Sequence, residues 1–151
     1  MKKVLIVGIG NVLLGDEGIG VYIANQIRDS GIINSESVEV ADGGTAGYDL
    51  LPMMMGRDRI VIIDALNADD VPGSVYRLKP ENLAAMRGGM SLHETGIPEV
   101  IRALRLMGES PEVEIIGIVP EDITTVDIKI SDAVLRSVPA AIAQVVDAAM
   151  H

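Results

Sequence analysis

Lys3-Val-Leu-Ile-Val-Gly-Ile9 is a continuous apolar run of the kind that forms a strand buried on both faces of a parallel sheet. Gly8 and Gly10 mark a turn at its end. Apolar residues then recur at helical spacing from Glu17 to Asp29, and Gly31 follows as a stop. A strand, a glycine turn and a helix in this order predict the start of a layered β/α fold.

The remainder of the chain alternates between the same two patterns. Further strands are predicted over residues 37–42, 59–64, 113–119 and, as a short edge strand, 74–78. Helices are predicted over residues 45–55 and 99–107 and from Ser131 to the end, with Pro139 expected to kink or restart the last one. We therefore expect one α/β domain over residues 1–151, with three layers formed by a mostly parallel twisted sheet and helices on both faces.

The composition limits the classes of partner. The 151 residues are 48% hydrophobic and 23% charged, with a formal net charge of −10, which suits a solvated globular protein and would also attract a basic partner segment. Because the chain has no Trp or Phe and only three Tyr, we expect no nucleic-acid partner. No apolar run approaches about 18 residues, and residues 4–7 are too short for a signal-peptide core. We therefore expect a cytoplasmic monomer without a membrane partner.

Acidic side chains follow three of the predicted strands. Asp16 and Glu17 come after the first strand, Asp42 ends the second and Asp64 ends the third. The carboxyl ends of parallel strands share one edge, so these carboxylates repel one another unless protons, hydrogen bonds, helix N-termini or a cation offset their charge. Each aspartate taken alone also suits a helix N-cap. Their coincidence at one edge favours a metal site or an acid/base site.

The chain contains no cysteine, so any metal that it holds needs His, Asp or Glu ligands. His93 is the one internal histidine, and its polar turn suits a ligand or a surface position equally. Glu17, Asp64 and His93 together would form a set of one nitrogen and two carboxylates for zinc, nickel or another divalent ion. Asp16 and Glu17 point about 100° apart on a helix, so one of them enters the pocket, and the residues alone do not choose between them.

Gly8-Ile-Gly10 after a strand also raises a nucleotide-binding alternative. The dinucleotide motif needs a third glycine where this chain has Leu13, and residues 11–17 are long and acidic where a pyrophosphate needs bare amides. The chain has no Gly-Lys-Ser or Gly-Lys-Thr sequence for a phosphate loop and no Gly-x-Ser-x-Gly elbow for a serine nucleophile. Carboxylate and histidine chemistry is the better supported hypothesis.

Four motifs occur along the chain in this order: Gly8-Ile-Gly-Asn-Val-Leu-Leu-Gly-Asp-Glu-Gly-Ile-Gly20, Asp42-Gly-Gly-Thr45, Ile63-Asp-Ala65 and Ser91-Leu-His93. In order and spacing they resemble the nickel-iron hydrogenase maturation endopeptidases, and the resemblance covers essentially the whole chain. It implies a single α/β domain and an endopeptidase that removes the C-terminal extension of the hydrogenase large-subunit precursor after nickel insertion.

The resemblance also implies roles for individual residues. The metal-contacting positions of the family fall on Glu17, Asp64 and His93, which favours Glu17 over Asp16 and makes these three the catalytic candidates. Asp42 is a possible addition, placed beside the same cleft to recognise or position the substrate. We expect the substrate to supply the nickel, because this ligand set leaves room for thiolates from another protein. Two questions stay open: whether the metal or a carboxylate drives hydrolysis, and whether the chain is instead a non-enzymatic nickel-recognition or chaperone module.

Overall fold

Five strands form one sheet in the part of the chain that the computed structural model describes, residues 2–45, 47–85, 96–121 and 126–151. The strands are β1 (Val4–Ile9), β2 (Val38–Gly44), β3 (Arg59–Ala65), β4 (Val75–Leu78) and β5 (Glu112–Ile118). Their order is β2-β1-β3-β5-β4, and all neighbours are parallel except β4, which pairs antiparallel with β5. The short strand predicted at the edge is therefore confirmed as an edge strand.

Helices cover both faces of this sheet. One face carries α1 (Ile19–Ser30) and α4 (Asp132–Met150), and the other carries α2 (Leu51–Met54) and α3 (Ile97–Leu106). Side chains alternate between the two faces along a strand, so Ile6 of β1 packs in the core under α1 and α4, while Leu5 packs in the core under α2 and α3. The predicted three-layer, mostly parallel α/β fold is confirmed.

The helix predicted over residues 45–55 is confirmed in its central part, but it is shorter than predicted and begins as a 3-10 helix. Tyr48–Leu50 form a 3-10 helix, and α2 adds four residues. Glycines at 43, 44 and 47 precede this segment, and glycine is the poorest helix former apart from proline. Gly56 follows with a left-handed φ of +76°, so the chain turns away after about two helical turns.

Helix α4 also differs in part from its prediction. It is continuous over Pro139, so the predicted restart is not observed. Pro139 is exposed, and water can reach the carbonyl group that the missing N–H leaves behind. Leu135 of this helix is 37% exposed, whereas Ser137 and Ala141 are buried. Among the described residues α4 is the helix long and apolar enough to cross a membrane, and its buried side packs against the sheet as a core helix does.

The strand order creates a crevice at one place on the carboxyl edge. The chain leaves β1 through α1 and returns as β2 on one side of β1, then crosses to β3 on the other side. In open α/β sheets this topological switch point is where ligands bind, because the connections at the two strand ends diverge to opposite faces. Here the switch point lies between the ends of β1 and β3.

Candidate active site

Glycines press the start of α1 onto the carboxyl ends of β1 and β3. A side chain at Gly20 would place its Cβ 2.1 Å from the carbonyl oxygen of Ile63 and 2.4 Å from that of Ile9. A Cβ at Gly8 would likewise lie 2.1 Å from the carbonyl oxygen of Gly20. Distances this short exclude any side chain, so the spaced glycines of the first motif serve the approach of backbone to backbone.

Glu17 lies in the 3-10 helix Gly15–Gly18 that leads into α1, and it is 2% exposed. Its N–H donates to the carbonyl oxygen of Leu14 at 3.1 Å. A Cβ at Gly10, where φ is +152°, would lie 2.1 Å from the carbonyl oxygen of Glu17, so the turn packs directly on the end of β1. The fold thus buries the Glu17 side chain at the switch point.

Asp64 is completely buried in β3, one residue before the end of the strand. Its Oδ1 accepts the N–H of Ala65 at 2.8 Å, and its register partner on β5 is Gly117. Burying a carboxylate costs free energy unless hydrogen bonds or cations offset it. Two buried acids, Glu17 and Asp64, on elements that flank one crevice are therefore an arrangement suited to metal binding or acid/base chemistry.

Asp42 occupies a different environment from Glu17 and Asp64. It lies in the edge strand β2, in register with Gly8 of β1, and it is exposed. Its Oδ1 accepts the N–H of Gly44 at 2.8 Å, next to the place where the register between the two strands shifts. Its backbone is at the predicted edge of the sheet, but its side chain is exposed to solvent.

Asp16 is bonded to residues that lie far along the chain. Its Oδ1 accepts the N–H of Ser131 at 2.7 Å, and its Oδ2 accepts the Ser131 hydroxyl and the N–H of Glu121, each at 2.8 Å. Asp16 is 2% exposed, so these bonds hold a buried carboxylate and tie α4 to the turn beside Glu17. Sequence reasoning missed this role, although the last helix was predicted to begin at Ser131.

His93 lies at 86–95, outside the residues that the structure describes. Within the described ranges no group of three or more His, Asp or Glu side chains is placed to hold a metal ion. The metal set of Glu17, Asp64 and His93 therefore stays a prediction, of which the structure places two members at the switch point.

The turn after β1 does not fit the nucleotide-binding alternative. Leu13 is 58% exposed at the position of the missing third glycine, and the buried Asp16 and Glu17 precede the first residue of α1. A pyrophosphate needs free amides and a positive potential there, and two carboxylates oppose both. The nucleotide-binding alternative is not favoured.

Comparisons with known proteins agree on one family. The family model for hydrogenase maturation proteases matches residues 21–148. The chain is 38% identical to the hydrogenase 2 maturation protease of Escherichia coli K12 over 124 residues, which covers 80% of this chain and 75% of the relative. It is 33% identical to the hydrogenase expression/formation protein HupD of Rhodobacter capsulatus over 148 residues, 96% of this chain and 70% of the relative.

A solved structure shares both fold and sequence with the chain. The hydrogenase maturating endopeptidase HybD from E. coli superimposes with a TM-score of 0.87 at 36% identity, covering 97% of this chain and 91% of that one. The match spans the sheet and both helix layers. The chain therefore belongs to the hydrogenase maturation protease family and is a peptidase.

Proposed function

We propose that this peptidase removes the C-terminal extension of a nickel-iron hydrogenase large-subunit precursor after nickel insertion. The observation that carries the proposal is the burial of Glu17 and Asp64 on the elements that flank one switch point, in a chain of the hydrogenase maturation protease family. Two buried carboxylates suit a cation that arrives with its own remaining ligands. We propose that the precursor brings that cation, nickel, on its cysteine thiolates, and that the protease acts in the cytoplasm as a monomer.

Glu17, Asp64 and His93 are the proposed contacts to the nickel on the substrate. The chain has no cysteine, so its own ligands are harder than the thiolates that the precursor supplies, and the two sets complement each other. Nickel on the client then acts as a recognition element: precursor that lacks it loses these contacts and binds less tightly. Asp42, which is exposed to solvent, is the proposed position for contact with the client backbone.

Hydrolysis forms a C–O bond from water to the scissile carbonyl carbon and breaks the C–N bond, and a proton moves to the leaving amine. In one account Glu17 or Asp64 takes the proton from water as general base and returns it to the amine. In the other, the cation polarises the carbonyl or activates the water, and the carboxylates hold it. A Glu17→Gln variant separates the two accounts. Lost turnover with intact precursor binding favours chemistry at Glu17, whereas lost precursor binding favours a role for Glu17 in holding the cation.

Intact-mass spectrometry of a large-subunit precursor tests the proposal. Nickel-loaded and nickel-free precursor are each incubated with the wild-type protease and with Glu17→Gln. Loss of a C-terminal peptide from the nickel-loaded precursor alone, with wild type alone, is the expected result. Equal cleavage without nickel would discard the recognition role of the metal. Absence of cleavage of a cognate nickel-loaded precursor would instead support the chaperone alternative, which membership in a peptidase family disfavours.

A further inference from the structure

Four apolar side chains are exposed together beside the candidate site. We call them the apolar rim: Val12 (48% exposed), Leu13 (58%), Val126 (80%) and Ile128 (78%). They come from two segments that a parallel bridge between Leu14 and Asp127 brings side by side. Single exposed apolar residues are ordinary, but several that lie together form a candidate interaction surface.

The backbone of the apolar rim is held firmly. The Asn11 side chain accepts the N–H of Leu13 at 3.0 Å, forming a turn that presents Val12 and Leu13 to solvent. Across the bridge the N–H of Asp127 donates to the carbonyl oxygen of Leu13 at 2.9 Å. Beneath it, a Cβ at Gly18 would lie 2.7 Å from the Cα of Val12. A surface ordered before binding loses little conformational entropy when a partner docks.

The apolar rim is continuous with the turn that carries Glu17. The N–H of Glu17 donates to the carbonyl oxygen of Leu14, the residue that follows Val12 and Leu13. A protein bound at the switch point can therefore contact the apolar rim as well. Since the proposed substrate is a whole precursor protein with a scissile bond near its C-terminus, contacts outside the reacting centre add to its binding.

A charged hollow of about 510 Å³ borders the apolar rim at Asp127, which lies between Val126 and Ile128 in the chain. Its described lining includes the exposed acids Glu121, Asp127 and Asp132 and the exposed bases Lys129 and Arg136. Acids outnumber bases there, and the chain as a whole carries −10. This charge attracts a segment with basic side chains and disfavours a second copy of the same acidic chain.

We propose that the apolar rim is the docking surface for a segment of the large-subunit precursor near its cleavage point. The segment places apolar side chains on the rim and a basic side chain in the acidic hollow. The rim and hollow then determine which client is bound, separately from the contacts to nickel. This inference rests on the proposed function, because it takes its occupant from it.

Paired variants test the docking role. Leu13→Ser with Ile128→Ser removes apolar surface from the rim, and Leu106→Ser is the matched control, since Leu106 is 84% exposed at the end of α3. In cleavage of nickel-loaded precursor, we expect the double variant to raise KM about tenfold with kcat retained at saturation, and Leu106→Ser to match wild type. An unchanged KM, or an equal rise in the control, would overturn the inference. Wild-type cleavage in the same assay shows separately whether the proposed function holds.

Photocrosslinking identifies the occupant without relying on turnover. A benzoyl-phenylalanine at Ile128 is expected to crosslink to the nickel-loaded precursor, and the same group at Leu106 is not. Crosslinking between two protease copies in place of the precursor would overturn the inference. Asp132→Asn should also raise KM and weaken its dependence on salt concentration, because it removes one acid from the hollow. A salt dependence equal to that of wild type would remove the basic side chain from the proposal.

Discussion

Asp16 holds Ser131 through both of its carboxylate oxygens, one bonded to the N–H at 2.7 Å and the other to the hydroxyl at 2.8 Å. The Ser131 oxygen in turn accepts the N–H of Val134 at 3.4 Å and caps α4. Asp16 immediately precedes Glu17 in the same 3-10 helix. One carboxylate therefore bonds the N-terminus of the C-terminal helix to the turn that carries a candidate site residue.

Replacing Asp16 with Asn should lower the free energy of unfolding by about 2–3 kcal/mol, because an amide nitrogen would face backbone and hydroxyl donors in a buried place. Urea unfolding measures this loss. Asp69→Asn is the matched control, since Asp69 is exposed on a loop, and it should change stability by less than about 0.5 kcal/mol.

The same variant tests whether Asp16 positions Glu17. In the absence of urea, at a temperature where Asp16→Asn is fully folded, we expect cleavage of the nickel-loaded precursor to fall mainly through kcat. The reason is that Glu17 shifts while the apolar rim is unchanged. A folded Asp16→Asn protein with wild-type kcat would show that the carboxylate serves stability alone.

Gly20→Ala should disrupt the site and the fold together. The added Cβ meets the carbonyl oxygens of Ile63 and Ile9, which belong to strands and cannot rotate away, so we expect a loss of about 3 kcal/mol or more. Gly31→Ala is a useful comparison: φ there is +65° and nothing lies within 4 Å of the new Cβ. It should cost about 1–2 kcal/mol from backbone strain and leave cleavage unchanged. Equal activity in the two variants would contradict the close packing at Gly20.

Glu17→Gln should reduce turnover of the nickel-loaded precursor by at least about a hundredfold if Glu17 handles the proton. Single-turnover cleavage and precursor binding are measured on the same preparation. Asp42→Asn is expected to have the smaller effect and to act on KM, because Asp42 is exposed to solvent while Glu17 is buried. A larger loss of kcat in Asp42→Asn than in Glu17→Gln would reverse the proposed roles.

The ion pairs of Arg77 on β4 are expected to make the stability of the fold depend on pH. Arg77 donates to Glu114 at 2.9 Å and to Asp147 of α4 at 2.6 Å, and its hydrogen bond holds the pKa of the Asp147 carboxyl below the ordinary value. A lowered folded pKa stabilises the protein above the unfolded pKa, and that stabilisation is lost as the pH falls through the folded value. Asp147→Asn should therefore lower Tm at pH 7, and the difference from wild type should shrink as the pH falls below about 4 and vanish only below the lowered folded pKa. Parallel Tm curves at every pH would contradict the ion pair.

The apolar runs and their spacing predicted β1, β3, β5 and the helices α1, α3 and α4 because those patterns are local: an apolar strand must be covered on both faces and a helix must bury one side. They also placed Glu17 and Asp64 at strand ends that share an edge. The glycine-rich entry to α2 was misjudged, because a few apolar residues do not offset glycine's cost in a helix.

The family resemblance favoured Glu17 over Asp16, but only the tertiary structure gave the physical reason. The two residues are adjacent and chemically alike, so no local pattern distinguishes them. The partners of Asp16, the amide of Glu121 and the amide and hydroxyl of Ser131, lie 105 and 115 residues further along the chain. Strand order brings them together, and strand order follows from how all the layers pack at once. A buried carboxylate takes its role from whichever donors the fold places around it, which a one-dimensional pattern does not contain.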